Sequence, residues 1–149
     1  DQSMRIILGA LVFGLTLGGL PAIAQNIDFG DDSGDYANDG ECDDRRFYGP
    51  GMATTLDWEQ LARDATDCSL AYQSERVRIW NFEDSLAATR CEMIQWGDDE
   101  SGFPFDGECD DPRFEGRAVD GVMVADDAGH DATDCRRACE FGLIGLRNY

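Results

Sequence analysis

The stretch Asn38-Asp39-Gly40-Glu41-Cys42-Asp43-Asp44 returns almost unchanged 67 residues downstream as Phe105-Asp106-Gly107-Glu108-Cys109-Asp110-Asp111. At the same offset Asp64-Ala65-Thr66-Asp67-Cys68 becomes Asp131-Ala132-Thr133-Asp134-Cys135, so both elements recur together with no insertion between them. Each copy sets carboxylates beside one cysteine and follows them with a second acid pair ending in another. That is the pattern of a metal site closed by a disulfide. It constrains the chain to two similar modules, and it points to binding before it points to catalysis.

The N-terminus reads as an export signal. Met4-Arg5 forms a short positive region, Ile6 to Leu20 is an apolar and Gly/Thr stretch, and Ala22-Ile23-Ala24 is an A-x-A cleavage site. Residues 1–24 are therefore expected to be a signal peptide, with Asp1-Gln2-Ser3 ahead of Met4 a cloning remnant. The apolar core is short for a span of roughly 20 residues, and Gln25 rather than Cys follows the cleavage point, which argues against a lipid anchor. The expected location is periplasmic or secreted.

Export decides the cysteines. An even number, six, in an oxidising compartment implies three disulfides. Cys42 and Cys68 are 26 residues apart, as are Cys109 and Cys135. The simplest symmetric pairing is Cys42–Cys68 and Cys109–Cys135, which leaves Cys91 with Cys139. Zinc ligation by the thiols is disfavoured, because the chain has no C-x-x-C pair and a single histidine.

Acidic residues number 31 against 12 basic ones, all arginine, for a net charge of −19. Nucleic acid and anionic membrane surfaces would repel such a chain, so neither is an expected partner. Metal ions are, together with a protein partner that the sequence does not name. Aromatic residues at 10% are too frequent for a disordered acidic tail.

The expected organisation is a first Cys/Asp-rich module over residues 25–81, a linker helix over 82–92 and a second module over 93–149. Each half opens on an aromatic-Gly-Asp-Asp element, Phe29–Asp32 or Trp96–Asp99. Between their cysteines the halves are expected to diverge. Thr54 could cap a short helix with Asp57 as its capping-box partner, whereas Gly121–Val124 favours a loop or extended segment. One or two helical turns are expected over Ser69–Glu75 and Arg136–Phe141, and short strands over Val77–Trp80 and Leu143–Leu146. A half of this size cannot be held by core burial alone, so the expected fold class is small, disulfide-rich, loop-dominated α+β, with two tandem metal-stabilised modules of short helices and short strands.

Asp39, Asp43 and Asp44 flank a glycine that permits a tight turn, and Asp64 and Asp67 are three apart beside Cys68. Unpaired, such acids repel one another; a hard divalent cation removes that cost. An EF-hand is excluded. Aligning Gly40 to the invariant glycine puts Ala37 at the third ligand position and Arg46 at the twelfth, and the second copy has Gly102 and Pro104 at the first and third.

The motifs Asp39-Gly40-Glu41-Cys42-Asp43 and Asp64-Ala65-Thr66-Asp67-Cys68 resemble the Lin-Notch repeat, a small extracellular calcium module. So do Asp106–Asp110 and Asp131–Cys135. The resemblance implies calcium, side-chain ligands from Asp39, Asp64 and Asp67, and a backbone carbonyl near Asp43. It implies the same of Asp106, Asp131, Asp134 and Asp110 in the second copy. This chain departs from that family in a longer intercysteine spacing, in Ala65 and Ala132 replacing a Gly, and in lacking its other two disulfides. An upstream acidic ligand is missing near Tyr36 and Phe103. Asp32 and Asp99, and Asp44 and Asp111, are further ligand candidates. The full pattern also resembles exported Gram-negative bacterial proteins, which implies export but supplies no activity.

The leading functional expectation is a non-catalytic, exported calcium-binding structural or interaction protein with two disulfide-closed carboxylate sites, each holding one Ca2+. The alternatives are a small secreted hydrolase using paired carboxylates and a metal scavenger or sensor. No Gly-x-Ser-x-Gly, Cys–His partnership or histidine cluster appears, and the acids are duplicated, as structural sites would be. His130 beside Asp131 reads as a water-facing loop residue rather than a general base, since Arg63 occupies the equivalent place.

Overall fold

A computed structural model describes residues 26–149; the expected signal peptide, residues 1–24, lies outside the described residues. The protein is a small disulfide-rich α+β fold. In the first half strands β1 (Phe47–Tyr48) and β2 (Thr55–Asp57) precede helix α1 (Ala65–Gln73) along the chain, and β3 (Arg78–Ile79) follows it. Helix α2 (Phe82–Ala88) follows, and then β4 (Phe114–Gly116), β5 (Val122–Val124), α3 (Ala132–Glu140) and β6 (Ile144–Leu146). Disulfides join Cys42 to Cys68, Cys109 to Cys135 and Cys91 to Cys139.

The helices begin earlier than the sequence suggests, so that the Asp-Ala-Thr-Asp-Cys segments are helical. The reason is a cap supplied from far away. The first N–H groups of a helix have no partner within it. Here the Thr66 amide donates to Asp32 Oδ1 (2.8 Å) and the Ala65 amide to the Asp31 carbonyl (2.9 Å). Asp99 and Asp98 do the same for Thr133 (2.7 Å) and Ala132 (2.8 Å). A local reading of residues 64–68 cannot see a cap that lies 34 residues upstream.

The expected divergence between the cysteines does not occur. Thr54 starts no helix. Residues 55–57 are extended and pair antiparallel with β5, in the register Thr55↔Val124, Leu56↔Met123 and Asp57↔Val122. Asp57 then caps a single 3-10 turn, Trp58–Gln60, by accepting from the Glu59 amide. Leu56 faces the residue 67 positions on, and the flanking bonds are reciprocal, Trp58 amide to Gly121 carbonyl and Ala125 amide to Thr54 carbonyl, both 3.0 Å. The two halves therefore meet about an approximate two-fold axis through Leu56 and Met123.

Two miniature cores flank this ladder. Phe47 packs with Cys42, Cys68, Ala71 and Val77, and Phe29 stacks on its ring at 5.5 Å. Phe114 packs with Val119, Met123, Ala138 and Ile144, with Trp96 stacked at 5.3 Å. Leu56 crosses from the first half into the second core, and Met52 touches both. Helix α2 is tied to β6 by Ser85 Oγ donating to the Leu146 carbonyl (2.7 Å). That approach needs Gly145, since a Cβ there would lie 2.2 Å from Ser85 Oγ.

A buried ionic cluster crosses the same interface. Arg45 Nε and Nη2 donate to Glu115 at 2.9 and 3.2 Å, and Arg147 Nη1 donates to Glu115 Oε2 at 2.7 Å. Arg147 also donates to the Phe47 carbonyl. Burial pulls the Arg147 guanidinium down to about 10, although Glu115 opposes that shift. The positions equivalent to Arg45, Glu115 and Arg147 are Pro112, Tyr48 and Trp80, so the cluster occurs once and breaks the symmetry.

Candidate metal centre

The Asp-Gly-Glu-Cys-Asp loop is a turn built from its own acids. Asp39 Oδ1 accepts from the Glu41 amide (3.0 Å), and Gly40 takes φ 98°, a conformation open to glycine at little cost. The Gly40 amide then donates to Asp67 Oδ2 (2.9 Å), and the Asp43 amide donates to Asp64 Oδ2 (2.8 Å). Helix α1, which carries Asp67, is thereby held against the loop on both sides of the Cys42–Cys68 disulfide. In the second half Gly107 donates to Asp134 (3.1 Å), Asp110 to Asp131 (2.8 Å), and Glu108 to Asp106 (3.0 Å).

Each half keeps two buried carboxylate oxygens with no donor. These are Asp43 Oδ2 and Asp64 Oδ1 in the first, and Asp110 Oδ2 and Asp131 Oδ1 in the second. All four residues are at most 5% exposed. Buried polar atoms without partners are rare in folded proteins and each calls for an explanation. Electrostatics sharpens the point. Burial, then repulsion from Asp39, Asp64, Glu41 and Asp67, pushes the Asp43 carboxyl up to about 7. Burial and negative neighbours likewise push Asp110 up to about 7 and Asp131 up to about 6, and raise Asp64. A cation bound at these oxygens would offset the repulsion and fill the missing contacts.

In both halves the second-segment aspartate, Asp64 or Asp131, and the two disulfide sulfurs lie within 4.8 Å of one another, a group that could hold a metal ion. The sulfurs are bonded to each other and carry neither a thiolate nor an S–H. The 3.5 Å approach of Cys68 Sγ to Asp64 Oδ2 is therefore a packing contact. Ligand capacity rests on the carboxylates, which favours a hard ion.

The other acids are committed elsewhere. Asp44 accepts from Arg46 Nε at 2.8 and 3.0 Å and from the Ala62 amide at 2.9 Å. Asp111 is matched in the same way by Arg113 and the Gly129 amide (2.8 Å). Both carboxylate oxygens of Asp44 and of Asp111 accept such bonds, and the two residues lock the loop. Asp32 and Asp99 are helix caps, with Thr66 and Thr133 hydroxyls as second donors at 2.7 and 2.8 Å. His130 sits at the surface, Nδ1 2.6 Å from Asp98 Oδ1, and that bond raises its pKa.

Fold and site thus define a disulfide-stapled α+β protein with two carboxylate groups that could hold metal. No protein-family model, curated protein or solved structure matches the chain. Among the described residues no helix is long and apolar enough to cross a membrane, and the three disulfides fit an oxidising, extracytoplasmic compartment.

Proposed function

We propose that the protein is an exported structural or interaction module that binds one calcium ion in each of two tandem repeats, residues 25–81 and 93–149, joined by the segment 82–92. The observation that carries this is the pair of donorless buried oxygens recurring at equivalent places, Asp43 and Asp64, Asp110 and Asp131. Asp39 and Asp67, with Asp106 and Asp134, complete the two ligand sets, and main-chain oxygens and water make up the six to eight oxygens that calcium takes. Bound metal would hold the loop to the first turn of the helix, where the disulfide already ties them. Duplicated sites of this kind suit a structural role better than paired-carboxylate hydrolysis. The likeness of both motifs to Lin-Notch repeats, and the signal-like residues 1–24, support calcium and export.

Calorimetric titration of chelator-treated protein tests the reading. Calcium should bind with a stoichiometry of about two, at roughly micromolar to millimolar affinity. Asp64→Asn should remove one site and Asp131→Asn the other. Absence of binding heat and of any thermal shift up to roughly 10 mM calcium, beyond the range of extracellular modules, would overturn it.

A further inference from the structure

Two hollows flank the β2–β5 ladder, and they are one hollow built twice. The smaller, about 210 Å³, is lined by Arg45, Arg46, Trp58, Trp80 and Glu115, among others. Shifted by 67 positions, these five become Pro112, Arg113, Ala125, Arg147 and Tyr48, and all five line the larger hollow, of about 550 Å³. The difference in size has a visible cause. In the smaller hollow the Trp58 indole lies over Gly121, where an added Cβ would be 3.6 Å from Cε3, and the Arg45 guanidinium sits 5.3 Å from its ring centre. In the larger, alanine and proline stand in place of that tryptophan and arginine. The frame of this seat recurs on both sides, with Thr54 in the larger hollow where the smaller has Gly121, and the protein's own aromatic ring occupies only one of them.

The walls of the open seat specify the rest of the ligand. Met52, Leu56, Pro112 and Ala125 supply apolar surface. Of its arginines, Arg113 is paired with Asp111 and Arg147 with Glu115. Arg78 stacks over the Tyr48 ring at 4.8 Å and has no carboxylate within ion-pairing distance among the described residues. One uncompensated positive charge therefore stands at the edge of a hollow with apolar walls, on a chain of net charge −19. We infer that this hollow is a binding site for a planar aromatic monocarboxylate, its ring in the place that Trp58 takes on the other side and its carboxylate on Arg78. A guanidinium suits that role, since it pairs bidentately with carboxylate and stacks on π-faces. The inference does not depend on the metal reading.

The test titrates the full chain with indole-3-acetate, following amide shifts by NMR, with neutral indole and cationic tryptamine as controls. Expected are saturable shifts at Tyr48, Met52, Arg78 and Ala125, and affinity falling from indole-3-acetate to indole to tryptamine. Ala125→Trp should close the hollow and lower indole-3-acetate affinity at least tenfold, without lowering the melting temperature. Arg78→Gln, at an exposed position, should bring indole-3-acetate down to the affinity of indole; this variant decides the matter if the tryptophan variant does not fold. Tryptamine binding as tightly as indole-3-acetate, unchanged binding in either variant, or shifts confined to other residues would overturn the proposal.

Discussion

Asp43→Asn separates the cost of the buried acids from the benefit of the metal. Burial and four negative neighbours push Asp43 up to about 7, from an ordinary value of 3.8. A gap of that width corresponds to about 4 kcal/mol. Solvent reaching the loop screens part of it, so about 2 kcal/mol is the expected effect. The sign follows from linkage. The folded value lies above the unfolded one, so the stability associated with the protonated acid is complete below about pH 4 and is lost as the pH rises through 7. In chelator, wild type should lose stability across that window. The Asn variant, uncharged throughout, should lose less. At pH 8 in chelator it should be the more stable by about 2 kcal/mol, a rise in melting temperature of roughly 8 °C. Calcium reverses the order, because protons and cation compete for the same oxygens. At saturating calcium each intact site adds about 2.7 kcal/mol at a hundredfold excess over Kd, so the variant should keep one increment where wild type has two. Thermal melts at pH 5 and 8, with calcium and with chelator, read all four corners. Equal melting temperatures for the two proteins in chelator at pH 8, with equal calcium increments, would refute the reasoning.

Glu115→Gln leaves the buried Arg45 and Arg147 guanidiniums without their shared counter-charge. The expected loss is about 3–5 kcal/mol in chemical denaturation, and a loss under about 1 kcal/mol would show that water reaches the cluster. Glu75 ends α1 at φ 57°, where the equivalent residue after α3 is Gly142 at φ 67°. Glu75→Gly should therefore stabilise by about 0.5–1 kcal/mol in thermal melts, while Gly142→Ala should destabilise by about as much.

The acids divide into three kinds, and sequence spacing does not separate them. Asp43 and Asp44 are adjacent, yet one is left with a donorless oxygen and the other is saturated by Arg46 and Ala62. Asp32 belongs to the same acidic motif as Asp31 but serves as the cap of a helix 34 residues away. What each carboxylate does depends on which amides the folded chain brings to it. Reading Thr54–Asp57 as a helix start failed for the same reason. Its capping signal was real, with Asp57 capping the 3-10 turn, but pairing with residues 122–124 of the other half outweighed local propensity.

By itself the sequence determined the small disulfide-rich α+β class, because acidic loops in halves too short for a core leave crosslinks as the main staple. It also determined where carboxylates and cysteines gather, since the motifs recur at one offset of 67. Only the tertiary structure decided that Leu56 and Met123 meet on an approximate two-fold axis. It alone closed Arg45, Glu115 and Arg147 into a buried cluster spanning separations of 32 to 102 residues. Local periodicity reports which face of an element is apolar, not which distant element will cover it; that choice is made by packing the two halves together.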